Sequence, residues 1–136
     1  MGNNIIELLY ELKKKFMLMD DVFIAEHNLT QAEYHAFIAI SSGDKINSPQ
    51  LAENMGLSLS RISRIVDKMV VKGYLLRSTS DKDRRAIHLE LSSEGIKLME
   101  KILAYRSACE LKIIKNVSAK ELELIKKSLG KLKDIL

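Results

Sequence analysis

The part of the sequence that most constrains the fold is the stretch 48–72, which contains two short helical patterns separated by one glycine. Ser48-Pro49-Gln50 predicts the start of the first helix, with the serine as its cap and the proline at its first position. This helix is short, because Gly56 follows only six residues after the glutamine. Gly56-Leu57-Ser58 predicts a tight turn and a new cap. Two short helices joined by a glycine turn are the pattern of a helix-turn-helix.

The second predicted helix, residues 58–72, has two chemically different sides. Its apolar positions share one face and are expected to be buried: Ile62, Val66, Met69 and Val70. Its remaining surface carries Ser60, Arg61, Ser63, Arg64 and Lys68. An α-helix fits the major groove of DNA, where serine and arginine side chains can bind base edges or phosphates. We therefore predict that Arg64 contacts a base and that Ser60, Arg61 and Ser63 contact bases or nearby phosphates.

Residues around this helix pair are predicted to hold the DNA backbone. Ser48 and Gln50 lie at the start of the first helix, where an N-terminus presents unpaired N–H groups to a phosphate. The candidate DNA-binding residues in this part of the chain are Ser48, Gln50, Ser58, Ser60, Arg61, Ser63, Arg64, Lys68 and Arg77.

A basic hairpin is predicted to follow the helices. After Gly73 the apolar period changes, and residues 74–79 and 86–91 are predicted strands, the second with alternation at Ile87, Leu89 and Leu91. The turn between them is polar, and its candidate DNA contacts are Lys82, Asp83, Arg84 and Arg85. Arginine in a narrow minor groove meets an enhanced negative potential, and an aspartate beside it can orient the guanidinium.

The distribution of charge supports a polyanion-binding face. Residues 58–88 contain eight basic and three acidic side chains, whereas the rest of the chain contains 14 basic and 15 acidic ones. The net charge of +4 therefore originates in about a quarter of the chain. Such concentration favours binding to nucleic acid over general solubilisation.

Helices with apolar stripes are predicted outside this region. Asn3 or Asn4 can cap a first helix, with a stripe at Ile5, Leu8, Leu12, Phe16, Met19 and Phe23. Capping boxes at 30–33 and 118–121 predict two further helices, the first with candidate core residues Tyr34, Phe37, Ile38 and Ile40. Ser92 or Ser93 is predicted to begin a long helix, which lies in sequence between the two helices that the capping boxes begin. Three helices outside the DNA-binding part have apolar faces that must be buried against another surface. This favours a dimer.

Two runs resemble the MarR family of bacterial and archaeal regulators. The run 54–77 resembles the recognition-helix segment of that family, and the run 81–95 resembles its wing. The family's Asp-x-Arg falls at Asp83 and Arg85, and a serine leads into the long helix where the family usually has threonine. Leu59 departs from the family, which often has a polar residue there. It could touch a thymine methyl or pack locally, and local packing is slightly favoured.

The resemblance implies a mostly α fold with a small β-hairpin (α+β), namely a winged helix-turn-helix with N- and C-terminal dimerisation helices. A single domain would span 1–136, with dimerisation helices in 1–28 and 93–136 and the DNA-binding region in 30–91. A homodimer would place recognition helix 58–72 in the major groove of double-stranded DNA and wing 80–86 in the minor groove. Most members of the family repress transcription.

Many members also release DNA when a small anionic or phenolic effector binds between the dimer helices and the DNA-binding region. In this chain the candidate effector pocket is formed by Phe16, Met19, Tyr34, His35 and Phe37. The same residues are also candidates for the core, so the existence of an effector is left open.

Other functional classes have little support in the sequence. No nucleophile–base pair or phosphate loop indicates an enzyme, and no cofactor is predicted. The three histidines form no i,i+4 pair, so no metal is expected, and the lone Cys109 is expected to be a buried small hydrophobe. With one cysteine, no secretory signal and no membrane span, the sequence predicts a cytoplasmic protein.

Two alternative functions compete with that of a DNA-binding regulator. A winged-helix protein-interaction module would present an apolar or acidic recognition helix, whereas this one carries Arg61, Arg64 and Lys68. A ligand sensor that has lost its DNA site is disfavoured only because the DNA-binding region looks intact.

Overall fold

The computed structural model describes residues 4–40, 45–79 and 87–136. Within these ranges the chain forms six helices and three strands. They are α1 (Ile5–Glu26), α2 (Gln31–Ala39), β1 (Ile46–Asn47), α3 (Ser48–Met55), α4 (Leu59–Val71), β2 (Leu75–Thr79), β3 (Ile87–Leu91), α5 (Ser93–Asn116) and α6 (Ala119–Ile135). The predicted fold class, mostly helical with a small antiparallel sheet, is confirmed.

The chain forms two compact units, Met1–Met99 and Glu100–Leu136. The first contains the helix-turn-helix and the sheet, and α5 begins in the first unit and ends in the second. The division into a DNA-binding region at 30–91 flanked by dimerisation helices stays a prediction.

Side-chain caps determine where most helices begin. Asn4 caps α1, because its Oδ1 atom accepts a hydrogen bond from the Glu7 N–H at 2.9 Å. Both predicted capping boxes are confirmed, at the start of α2 and at the start of α6. Ser92 caps α5, since its Oγ atom accepts from the Gly95 N–H at 3.0 Å.

The predicted cap of α3 is wrong by one residue. Asn47 is the cap: its Oδ1 atom accepts from the Gln50 N–H at 2.8 Å, and the Asn47 N–H donates to Gln50 Oε1 at 3.0 Å. Ser48 is the first residue of the helix. Asparagine caps at least as well as serine, and the glutamine three residues later completes a capping box for Asn47 only.

The three strands form one antiparallel sheet in the order β1-β3-β2. Leu75 pairs with Leu91 and Thr79 pairs with Ile87, as a hairpin requires. Strand β1 was not predicted, because two residues are too short to show a period. The predicted alternation along β3 is only partly right: Leu89 is buried and Leu91 is half-buried, but Ile87 is exposed.

Helix α4 packs on α2, α3 and β2. Its buried residues are Ile62, Ile65, Val66 and Met69. Val70, which was predicted in this set, is half-buried, and Ile65 was missed. The apolar face of α4 is therefore fixed to the core of its own chain, which leaves the opposite face free.

The start of α5 approaches the end of the helix-turn-helix closely. Tyr74 O accepts a hydrogen bond from the Ser92 N–H at 2.9 Å. A Cβ atom added at Gly95 would lie 2.2 Å from that same Tyr74 oxygen. Only glycine therefore fits this position without a backbone shift.

Candidate nucleic-acid interface

The solvent side of α4 carries the predicted recognition residues. Ser60, Arg61, Ser63, Arg64 and Lys68 are all exposed, as the sequence predicted. Residues four apart lie on the same side of a helix, so Ser60, Arg64 and Lys68 form one row along it. The helix thus presents three hydrogen-bonding side chains in line, with two more beside them.

The N-terminus of α4 is held by Ser58. Its Oγ atom accepts a hydrogen bond from the Arg61 N–H at 3.3 Å and lies 3.2 Å from Ser60 Oγ. Ser58 therefore orders the first turn of the helix, from which Ser60 and Arg61 project. Its predicted contact with DNA stays a prediction.

Leu59 is not packed into the protein. Its side chain is 55% exposed, so the slightly favoured interpretation of local packing finds no support in this chain. An exposed leucine in the first turn of α4 is free to contact a thymine methyl group.

Arg77 forms an ion pair that sequence reasoning missed. Its guanidinium donates to the Asp67 carboxylate and thereby connects β2 to the exposed side of α4. Both side chains are substantially exposed. A guanidinium has five donors, so Arg77 can still bind a phosphate while it is paired.

Lys72, at the end of α4, also binds within the protein. Its ammonium donates to Glu33 Oε1 at 2.8 Å and to the Asn28 carbonyl at 3.1 Å. Of the eight basic residues in 58–88, Lys72 and Arg77 are thus used in contacts inside the protein. No pattern in the sequence indicated either pair, because their partners lie ten or more residues away.

The start of α3 has two predicted phosphate-binding residues. Ser48 is half-buried and Gln50 is exposed. Because Gln50 uses its amide oxygen for the capping box, its amide nitrogen is the group left to face a phosphate. Both contacts stay predictions.

The remaining predicted contacts lie in the wing. Lys82, Asp83, Arg84 and Arg85 fall outside the residues that the structure describes. The last described pair of the hairpin is Thr79 with Ile87.

The predicted effector residues differ in their exposure in the single chain. Tyr34 and Phe37 are buried in the core, while Phe16, Met19 and His35 are exposed. His35 lines an open groove of about 750 Å³ between α2, the end of α3 and the start of α4. The groove lining comprises Gln31, Ala32, His35, Ile38, Ala39, Asn54, Met55, Leu57 and Arg61. The predicted pocket is untested.

Other kinds of site find little support in 4–40, 45–79 and 87–136. No group of three or more His, Cys, Asp or Glu side chains in these ranges is placed to hold a metal ion. Cys109 is half-buried rather than fully buried. None of the helices described there combines the length and apolar character that crossing a membrane requires.

Comparison with known proteins agrees with this geometry. A sequence model of the MarR family matches residues 29–87, the part that contains α2, β1, α3, α4 and β2. The HTH-type transcriptional regulator SarZ of Staphylococcus haemolyticus is 26% identical over 98 residues, which are 72% of this chain and 67% of that protein. SarZ of Staphylococcus aureus is 26% identical over 88 residues, or 65% of this chain. That alignment covers 60% of the S. aureus protein, less than two thirds of its length.

The fold of the whole chain is also found in a solved structure. FabT of Streptococcus pneumoniae, crystallised in complex with DNA, superposes with a TM-score of 0.91. The superposition covers 96% of this chain and 94% of FabT at 22% sequence identity. The family model, the SarZ relatives and the winged-helix fold together support the interpretation of this chain as a winged-helix regulator similar to the MarR family.

Proposed function

We propose that this chain is a DNA-binding transcriptional repressor of the cytoplasm, which binds a pseudo-palindromic promoter operator as a homodimer. Recognition helix 58–72 enters the major groove and wing 80–86 enters the minor groove. A small anionic or phenolic compound bound between the dimer helices and the DNA-binding region is the candidate signal for release of the DNA. Similarity to the MarR family model and to the SarZ regulators supports regulation of transcription, and the chemistry of α4 supports a nucleic-acid ligand.

The observation that carries the proposal is the exposed row on α4. Ser60, Arg64 and Lys68 face solvent, while Ile62, Val66 and Met69 bind the other side of the helix to the core. Arginine can bind a guanine with two parallel hydrogen bonds, serine can bind either kind of base edge, and lysine can bind a phosphate. A rigid helix with this row has the donors that specific recognition in the major groove requires.

Exposed apolar side chains support the homodimer. In α1, Leu8, Leu12 and Phe16 are exposed, and α6 has no buried residue in the single chain. An exposed apolar stripe along a helix, as in each of these two helices, indicates an interface with another protein. A second copy of the same chain would place two recognition helices about one turn of DNA apart, in agreement with a pseudo-palindromic operator.

The test is binding of the full chain to the promoter DNA upstream of its own gene and to a scrambled duplex, over a range of salt concentrations. We expect the promoter to be preferred and Arg64→Ala to lose about 1–3 kcal/mol of that preference at one base position. Lys97→Ala, an exposed lysine at the start of α5 paired with Glu94, is the control and should bind like the wild type.

Equal binding to promoter and scrambled DNA by the wild type and by both variants would contradict the proposal. The alternative is a winged-helix protein-interaction module without specific DNA binding. It predicts weak binding to both duplexes and no effect of Arg64→Ala. The exposed Arg61, Arg64 and Lys68 of α4 argue against that alternative, whereas the exposed Leu59 and Val71 at the two ends of the helix are the features compatible with it.

A further inference from the structure

The cluster formed by Glu33, Lys72 and Asn28 joins the end of the recognition helix to the corner between α1 and α2. Lys72 is the C-terminal cap residue of α4. Its Nζ atom lies 2.8 Å from Glu33 Oε1 in the first turn of α2 and 3.1 Å from the carbonyl oxygen of Asn28. These partners are 39 and 44 residues away in sequence, so the cluster is a tertiary contact.

The carboxylate in this cluster is buried to an unusual degree. Glu33 is 1% exposed, and its Oε1 atom accepts hydrogen bonds from both Lys72 and the Thr30 N–H, the latter at 3.0 Å. Its Oε2 atom is buried without a hydrogen-bond partner among the described residues. A carboxylate withdrawn from water depends strongly on its counterion, so Glu33 needs the Lys72 ammonium in this position.

The other partner of Lys72 is held by the backbone. Asn28 has a φ of +53°, the one positive value among non-glycine residues in the described part of the chain. The turn is fixed by hydrogen bonds from the Leu29 N–H to Ile24 O at 3.0 Å and from the Asn28 N–H to Ala25 O at 3.3 Å. The ammonium of Lys72 therefore binds two acceptors whose positions are set by the end of α1 and the start of α2.

Directional contacts of this kind complement the apolar packing of α4. Burial of Ile62 and Met69 holds the helix against the core, but the hydrophobic effect has no preferred direction. Hydrogen bonds and ion pairs require particular distances and angles. Lys72 thus limits sliding and rotation of α4 at its C-terminal end.

We propose that Lys72 and Glu33 are positioning residues for DNA recognition, which set the orientation of α4 relative to the α1–α2 corner. The inference rests on the proposed function. In a homodimer joined partly through α1, this orientation determines how the two recognition helices match two half-sites. A small rotation in each copy would misplace both Arg64 side chains relative to their bases while leaving nonspecific phosphate contacts available.

Loss of Lys72 should affect DNA binding differently from loss of a lysine that contacts DNA. A lysine that binds a phosphate contributes to affinity for any duplex, and its loss lowers the salt dependence of binding by about one unit of slope. A positioning lysine affects the promoter and leaves the salt slope unchanged. Lys68, one turn earlier on the exposed side of α4, is the matched comparison on the same helix.

The experiment compares Lys72→Met, Glu33→Gln and Lys68→Met in the full-length protein. Binding to promoter and scrambled duplexes is measured by fluorescence anisotropy over a salt series, and circular dichroism establishes that each variant is folded at the assay temperature. We expect Lys72→Met to lose about tenfold or more of its preference for the promoter, with scrambled binding and salt slope unchanged. We expect Lys68→Met to weaken binding to both duplexes and to lower the slope by about one.

Glu33→Gln keeps a side-chain oxygen that can accept the hydrogen bond from the Thr30 N–H, and it removes the charge that binds Lys72. It should lose promoter preference like Lys72→Met, and it provides the DNA test if Lys72→Met does not fold. Equal loss on both duplexes with a lower slope in Lys72→Met would show a phosphate contact and overturn the proposal. An unchanged promoter preference in folded variants would overturn it as well.

Hydrogen exchange provides a readout that does not depend on DNA. We expect Lys72→Met and Glu33→Gln to accelerate exchange in residues 59–71, whereas Lys68→Met should not. Unchanged exchange in both variants would overturn the inference even if the wild type prefers its promoter. If the wild type shows no preference but exchange in α4 accelerates, the proposed operator fails while the positioning role of the cluster stands.

Discussion

Helices α4 and α6 are both amphipathic, but the apolar face of α4 is buried in the single chain whereas that of α6 is exposed. In α4 the apolar residues are buried, and Ile62 is 0% exposed. In α6 no residue is buried, and Leu129 is 50% exposed although it belongs to the apolar stripe. The same pattern in sequence therefore has two meanings. In α4 the stripe binds the helix to its own core, whereas in α6 it stays exposed in the single chain and would face a partner in the proposed homodimer.

The largest effect is expected from a substitution in the exposed apolar stripe of α6. We expect Leu129→Glu to abolish the homodimer, because the carboxylate would be buried in the interface without a counterion at a cost of several kcal/mol. The single chain alone predicts a change within about 0.5 kcal/mol, since an exposed residue is replaced. Sedimentation equilibrium over a range of protein concentrations should show at least about a hundredfold weaker association.

Lys127→Glu is the control for this substitution, since it places the same carboxylate on an exposed position of α6 away from Leu129. It should sediment like the wild type. If Leu129→Glu also remains dimeric, α6 is not part of the interface and its apolar stripe needs another partner.

The core side of α4 should respond differently from its exposed side. Ile62→Ala removes a fully buried side chain and should lower the free energy of unfolding by about 2–5 kcal/mol. Leu59→Ala, on the same helix but 55% exposed, should change it by no more than about 0.5 kcal/mol. Urea unfolding at one fixed protein concentration measures both, because dimerisation makes stability depend on concentration.

A reversal of this order would mean that Leu59 is covered in the dimer and that α4 is not the free surface proposed here. Binding to DNA adds a second criterion. Leu59→Ala should retain binding to scrambled duplex, because leucine makes no phosphate contact.

Two glycines, one in a close backbone contact and one in open space, allow packed and exposed positions to be compared at the backbone. Gly95→Ala places a Cβ atom 2.2 Å from the Tyr74 carbonyl oxygen, so we expect it to destabilise the protein by about 1–3 kcal/mol. Gly130→Ala in α6 meets no atom within 4 Å, so its better helix propensity should stabilise the protein by up to about 1 kcal/mol. Thermal unfolding at fixed concentration compares them, and destabilisation by Gly130→Ala would place that residue inside the interface.

The sequence predicted the elements of the fold well because their signals are local. Capping boxes at Thr30 and Ser118, the glycine turn at Gly56 and the apolar period of α4 each involve residues within one or two turns of a helix. The errors are local as well. Asn47 rather than Ser48 caps α3, and the buried Ile65 was missed among neighbouring buried residues.

The candidate site could be predicted only in part, because some of its chemistry depends on tertiary contacts. The exposure of Arg61 and Arg64 follows from helical periodicity, and the sequence indicated it correctly. The partners of Lys72 and Arg77 come from other elements, so only the fold reveals that these charges are used inside the protein. A charge count over 58–88 therefore overstates the charge available to DNA.

The exposed ion pair between Asp67 and Arg77 should have the smallest effect. Both side chains are in contact with solvent, so a double-mutant cycle with Asp67→Asn and Arg77→Met should give a coupling free energy below about 1 kcal/mol in urea unfolding. The coupling should decrease with added salt, because exposed charges are screened. A coupling well above that value, or one that does not respond to salt, would show that the pair is shielded from solvent in the dimer. In that case Asp67 and Arg77 would belong with the buried contacts of α4 rather than with its DNA-facing side.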